Sequence, residues 1–159
     1  MKSMIDRTPV VLGARLVVGA ALVLASIDKI ADPVAFAASI GNYQLIPHLP
    51  ALVVATVLPW TELISGLFLV FGIFRRGAGL IAACLMAVFT ALVISALARG
   101  LDIACGCFTQ DPAAARIGWG KVLEDGTLFV LSLVAAFSPN SSISAERMIA
   151  HRAGGPAQR

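Results

Sequence analysis

Four long apolar runs divide this chain, Thr8–Ile27, Ala51–Phe74, Gly77–Ala98 and Gly118–Phe137, and no other feature narrows its folding choices as much. A helix crossing a hydrocarbon core of about 30 Å needs about 20 residues, and each run has at least that many. Lipid offers a backbone no hydrogen-bond partners, so every run must satisfy its own amides by folding as a helix. Composition agrees: 58% of the 159 residues are hydrophobic and 13% charged, where a soluble domain carries roughly 25% charged residues. The expectation is an all-α, integral membrane bundle of four transmembrane helices. It occupies residues 1–138 as one domain, with a cytoplasmic tail over 139–159.

The placement of charge orients the bundle. With the amino terminus in the cytoplasm, the inner segments hold Lys2, Arg7, Arg75, Arg76, Arg147, Arg152 and Arg159, and the outer loops only Lys29, Arg99 and Arg116. The positive-inside rule then puts both termini in the cytoplasm. The formal charge of +3 is thus a topology signal and points to no nucleic-acid partner. Residues 1–27 resemble a leader at first sight. Arg15 breaks the run, which exceeds a leader's 7–15 apolar residues, and an uncleaved first helix is expected.

The first outer loop, Asp28 to Pro50, is too long for a turn. Asp32-Pro33 is a helix-start pair, a capping carboxylate before proline at the first helical position. Phe36 and Ile40 fall four apart, so Pro33 to about Gly41 reads as a short interfacial helix. Tyr43 suits the same interface. Arg75-Arg76-Gly77 reads as a tight inner connection, making the second and third spans an antiparallel hairpin. Small residues such as Gly13, Gly19, Ala20, Gly66, Gly79, Ala82 and Ala83 permit close helix approach.

The second outer loop carries the most chemically pointed segment, Cys105-Gly106-Cys107-Phe108. On a regular helix, residues two apart point about 200° from each other and cannot bond. On a strand they share a face at the edge of disulfide reach, about 4.4–6.8 Å between Cα atoms. A bond between Cys105 and Cys107 therefore needs a sharply turned backbone, which Gly106 permits. The small ring would be strained, and strained disulfides are readily reduced. An outer-face location permits disulfide chemistry. Two plainer readings stay open: thiols that simply pack, and a soft-metal site. Zinc usually takes four ligands and His48 is the only outer histidine, so no metal is assigned. Cys84 lies within the third span, several turns away, and reads as packing.

Arg15, Glu62, Lys121, Glu124 and Asp125 fall inside spans, where ionisable groups face the bundle interior. Lys121 can meet Glu124 at i,i+3 and Asp125 at i,i+4, and Arg15 is a candidate partner for Glu62. They are either internal ion pairs or a proton relay serving thiol and quinone chemistry. Trp60, Phe68, Phe71, Phe89 and Phe129 either fill the core or line a pocket for an isoprenoid ring.

With these residues assembled, the chain resembles the MauE/DoxX family of small four-helix membrane proteins. Arg15 with Gly19, Asp28-Lys29, Asp32-Pro33 with Phe36, and Tyr43 followed by Pro47 carry the first half. Leu58-Pro59-Trp60-Thr61-Glu62 with Gly66, then Arg75-Arg76 and Phe89, carry the second. Gly100-Leu101-Asp102-Ile103-Ala104-Cys105-Gly106-Cys107-Phe108 is the most specific stretch and resembles the MauE branch, as do Lys121, Glu124 and Asp125. Thr109 stands where MauE-type loops commonly have Gly. The resemblance implies a redox-associated role, since MauE is linked to maturation of the disulfide-rich methylamine dehydrogenase beside a thioredoxin-like partner. It also implies an architecture similar to vitamin K epoxide reductase and DsbB-type proteins, which pass thiol electrons to a membrane quinone. The chain lacks their usual Cys-x-x-Cys.

The function expected is a membrane thiol–disulfide oxidoreductase of the bacterial inner membrane. Cys105 and Cys107 would exchange electrons with a thioredoxin-like or disulfide-containing periplasmic or secreted partner, supported by Gly106 and Phe108. A membrane quinone is the only cofactor implied. The alternatives are a non-enzymatic scaffold for a redox or sulfur-handling complex, and a soft-metal or small-thiol transporter.

Overall fold

A computed structural model describes residues 7–104, 106 and 117–138. It holds five α-helices: α1 (Arg7–Ala31), α2 (Pro33–Asn42), α3 (His48–Phe71), α4 (Arg75–Ala98) and α5 (Trp119–Phe137). Three stretches are long and apolar enough to cross a membrane, Pro9–Ala31, Leu49–Phe71 and Arg75–Ala98. The chain is a helical, multi-pass membrane protein. Its outer surface is apolar to match: Val10, Leu24, Val53, Trp60, Phe71 and Val130 are all exposed.

Local chemistry sets the helix ends. Asp32 caps α2, its carboxylate accepting from the Ala35 amide at 2.9 Å with Pro33 at the first helical position. This is the short helix read from the sequence. The second apolar run is displaced from its expected bounds: α3 begins three residues earlier, after Pro47, and stops at Phe71. Gly72 adopts a left-handed φ of +70°, and the Gly72 and Ile73 amides turn back to the Leu69 and Phe68 carbonyls. The connection between α3 and α4 is therefore Gly72–Phe74 rather than Arg75–Gly77, and both arginines open α4. Gly100 ends α4 the same way at φ +69°, with the Leu101 amide bonded to the Ala96 carbonyl.

α3 packs chiefly on α1, and α4 on α5, while α2 lies across α3. The α1–α3 crossing rests on two glycines. A Cβ at Gly19 would come within 2.8 Å of the Gly66 carbonyl, and one at Gly66 within 2.9 Å of the Gly19 carbonyl. Gly79 plays the equivalent part against Ala136 of α5. Gly13, expected to serve likewise, meets nothing within 4 Å. The core between the two helix pairs contains Val18, Leu22, Leu69, Ala82, Met86 and Leu128. α3 and α4 touch each other, but each finds its main partner elsewhere.

Candidate functional site

The first buried feature is an ion pair that the sequence reading assigned differently. α1 does not stop at Ile27 but continues through Ala31, carrying Lys29 out of the expected outer loop and into the bundle. Its Nζ donates to both Glu62 oxygens, at 2.7 and 2.8 Å, and each side chain is about 1% exposed. The same ammonium sits 5.1 Å from the Phe36 ring centre and 5.0 Å from that of Phe89. Such contacts stabilise a desolvated cation. Lys29, not Arg15, is therefore the partner of Glu62. Arg15 lies further down, its Nε donating to the Leu69 carbonyl at 3.1 Å, its guanidinium packed against Gly72. There it serves the open carbonyl end of α3.

A signal for Lys29 was present. Arg15, Val18, Leu22, Ala25 and Lys29 follow a three-four spacing along one helical face, and all five are buried. Counting Lys29 as a loop cation hid that pattern.

The second charged group is on α5. Lys121 Nζ lies 3.1 Å from Glu124 Oε1 and 3.4 Å from Asp125 Oδ1, the contacts expected at i,i+3 and i,i+4. Glu124 is half exposed, whereas Asp125 is buried and its Oδ2 has no hydrogen-bond partner among the described residues. Asp125 shares a cavity of about 10 Å³ with Lys29, Glu62, Phe89 and Met86. That is close to the space of one water molecule. The structure thus brings Glu62 and Asp125 to one small void, with Lys29 between the rings of Phe36 and Phe89. Water in that void would give Asp125 Oδ2 the partner it lacks.

Tyr43 stands above this group. It is 6% exposed, and its carbonyl accepts from the guanidinium of Arg99, the residue that caps the end of α4. Burial pushes its phenol up to about 12, and the nearby Asp125 charge adds to the effect.

Cys105, Cys107 and Phe108 lie outside the described residues. The segment around them is tethered at its base, where the Ile117 amide donates to the Ile103 carbonyl at 3.0 Å. Gly106 takes a left-handed φ of +66°, a conformation glycine adopts at little cost. Cys84 is exposed on α4 rather than packed inside. Fourteen residues separate it from Ala98, roughly 21 Å along the helix, so it is remote from the loop that follows α4. Of the five aromatics considered for a ring pocket, Trp60, Phe68 and Phe71 face outward and Phe129 packs on the core. Phe89 alone lines both the small void and a larger cavity beside it.

The comparisons with known proteins agree with one another. The family described as "Methylamine utilisation protein MauE" matches residues 7–138. A "Methylamine utilization protein MauE" of Methylophilus methylotrophus is 32% identical over 140 residues, covering 87% of this chain and 74% of its own length. One from Paracoccus denitrificans is 33% identical over 130 residues, covering 80% and 69%. No solved structure matches. The match runs from the start of α1 to the end of α5, through both buried charge groups and the glycine crossing, and the chain belongs to the MauE family.

Proposed function

We propose that this protein is a thiol–disulfide oxidoreductase of the bacterial inner membrane, working in the methylamine utilisation for which its relatives are named. The observation that carries the reading is the left-handed turn at Gly106, between two cysteines one residue removed from it. A bond between Cys105 and Cys107 needs a turned backbone between them, and the left-handed φ at Gly106 supports that reading. The lower-pKa thiolate attacks a sulfur of the partner's disulfide, breaking that bond and forming a mixed disulfide. The second cysteine then attacks the mixed disulfide and expels the partner's remaining thiolate. Two electrons and two protons pass to the partner, and Cys105–Cys107 closes. Run in reverse, the same steps oxidise a partner dithiol.

In this reading α5 is the fourth span, both termini are cytoplasmic and the cysteine loop faces outward toward a thioredoxin-like or secreted substrate. Its bundle is then similar to that of vitamin K epoxide reductase and DsbB-type proteins. A membrane quinone is the acceptor when the dithiol must be reoxidised, taking two electrons and two protons. Glu62 and Asp125, beside the water-sized void, are the groups suited to handling those protons, with Lys29, Lys121, Glu124 and Arg15 holding the charged framework.

The test is the redox state of Cys105 and Cys107 in native membranes, read by mass-tag alkylation before and after mild reduction. A mixed population that shifts with respiratory state, or is trapped as a mixed disulfide with a thioredoxin-like protein, is expected. Permanently reduced thiols, together with a Cys105→Ser/Cys107→Ser variant that still supports its partner, would replace the oxidoreductase with a scaffold.

A further inference from the structure

Beside the buried ion pair lies a second and much larger space. A cavity of about 240 Å³ is bounded by α2, by the segment after it, and by the facing sides of α3 and α4. It exists because α3 and α4 commit to α1 and α5, and α2 with Tyr43 roofs the gap between them. The rim residues Leu45, Ile46, Val54, Val88 and Cys84 are exposed on the outside of the bundle, where a membrane protein meets lipid. Its deep wall is aromatic: Phe36 and Tyr43, both buried, and Phe89.

We propose that this cavity binds the ring of a lipid-soluble aromatic or quinoid molecule, entering from the bilayer and seated against Phe36 and Phe89. Size is the first argument. A cavity of about 150 Å³ holds benzene, so 240 Å³ accommodates a six-membered ring with several substituents. Aromatic character is the second. The Lys29 ammonium lies 5.0–5.1 Å from the centres of both wall rings and fixes Phe36 and Phe89 in place, leaving ring surface on which a planar ligand stacks offset or meets edge-to-face. A saturated acyl chain gains nothing from that geometry. The third argument is placement, since Phe89 separates the cavity from the void shared by Glu62 and Asp125. A quinone serving the cysteine pair belongs to this ligand class, and to that extent the inference deepens the reading above.

Cys84 on the cavity wall provides the measurement. The Cys105→Ser/Cys107→Ser variant in nanodiscs is treated with N-ethylmaleimide, and modification of Cys84 is followed by peptide mass spectrometry. Decylubiquinone is the probe, because its fully substituted ring does not add to the thiol. 1-Decanol, with the same chain and no ring, is the control. Decylubiquinone at ten times its Kd should slow modification about tenfold, with decanol at equal concentration having little effect. Val88→Trp, or Leu92→Trp should the first not fold, should fill the space and abolish that protection. Equal protection by decanol would show a crevice for acyl chains and overturn the proposal. Free labelling of Cys84 at every decylubiquinone concentration would overturn it too. Because both loop cysteines are absent from this variant, protection here stands or falls separately from their redox cycling.

Discussion

Removing one member of the Lys29–Glu62 pair should cost far more than removing both. At 2.7 Å, two unit charges attract by about 6 kcal/mol at an effective dielectric of about 20. Withdrawing each ion from water costs several kcal/mol, so the pair contributes little net stability. A lone buried partner has the cost without the attraction, about 3–5 kcal/mol. Lys29→Met leaves Glu62 without its donor of two hydrogen bonds and should lie at the upper end. Glu62→Gln leaves Lys29 still resting on Phe36 and Phe89, and should lie at the lower end. The double variant Lys29→Met/Glu62→Met removes both charges at similar volume and should return to within about 1–2 kcal/mol of the parent. The assay is reversible denaturant titration in mixed micelles, followed by helical circular dichroism. If the single costs simply add in the double variant, or each single costs less than about 1 kcal/mol, the pair is not the closed, desolvated contact described above.

Three further outcomes are expected. Gly66→Leu should separate α1 from α3, since even a Cβ there meets the Gly19 backbone at 2.9 Å; loss of monodisperse protein in detergent reports it, and wild-type behaviour would contradict the crossing. Tyr43 ionises near pH 10 when unfolded and about 12 when folded, so the folded state holds its proton more tightly. Its stabilising contribution is complete below pH 10 and disappears as pH rises to about 12; Tyr43→Phe should flatten that part of the stability–pH curve, and an unchanged slope would refute the assignment. Asp32→Ala removes the cap of α2 at a cost of about 1 kcal/mol and loosens the roof carrying Phe36. Cys84 should then react faster with N-ethylmaleimide, whereas an unchanged rate would show that the roof does not depend on that cap.

How much of this was visible in the residues varies with the range of the interaction responsible. The α2 start is a local matter, a carboxylate and a proline acting within one turn, and Asp32-Pro33 announces it. The apolar runs are equally plain, because lipid acts on every residue of a span alike. Their ends are not. Hydropathy carries the second run through Ile73 and Phe74, but Gly72 takes a left-handed turn and the Arg15 guanidinium packs against it from another helix. Hydropathy also halts the first run at Asp28, because it cannot register Glu62 waiting 33 residues later. The aromatic wall was equally obscure: Phe36 and Tyr43 belong to α2 and its C-terminal cap, Phe89 to α4, and only the roofing of α2 over α3 and α4 unites them. Cys105 and Cys107 present the opposite case. The chemistry proposed for them rests on adjacent letters, and neither lies among the described residues; the left-handed turn at Gly106 between them is the backbone feature that supports it.

Lys29 and Glu62 also impose an order on biogenesis. Lys29 sits near the end of its helix, where a long side chain can reach the headgroups before any partner arrives. Glu62 lies near the middle of α3, beyond such reach, and must find its cation already in place. Chain synthesis delivers them in that sequence, so the first helix acts as an internal chaperone for the third. Lys29→Met should then accumulate in membranes to a lower level than the double variant Lys29→Met/Glu62→Met, which has no buried carboxylate waiting for a cation.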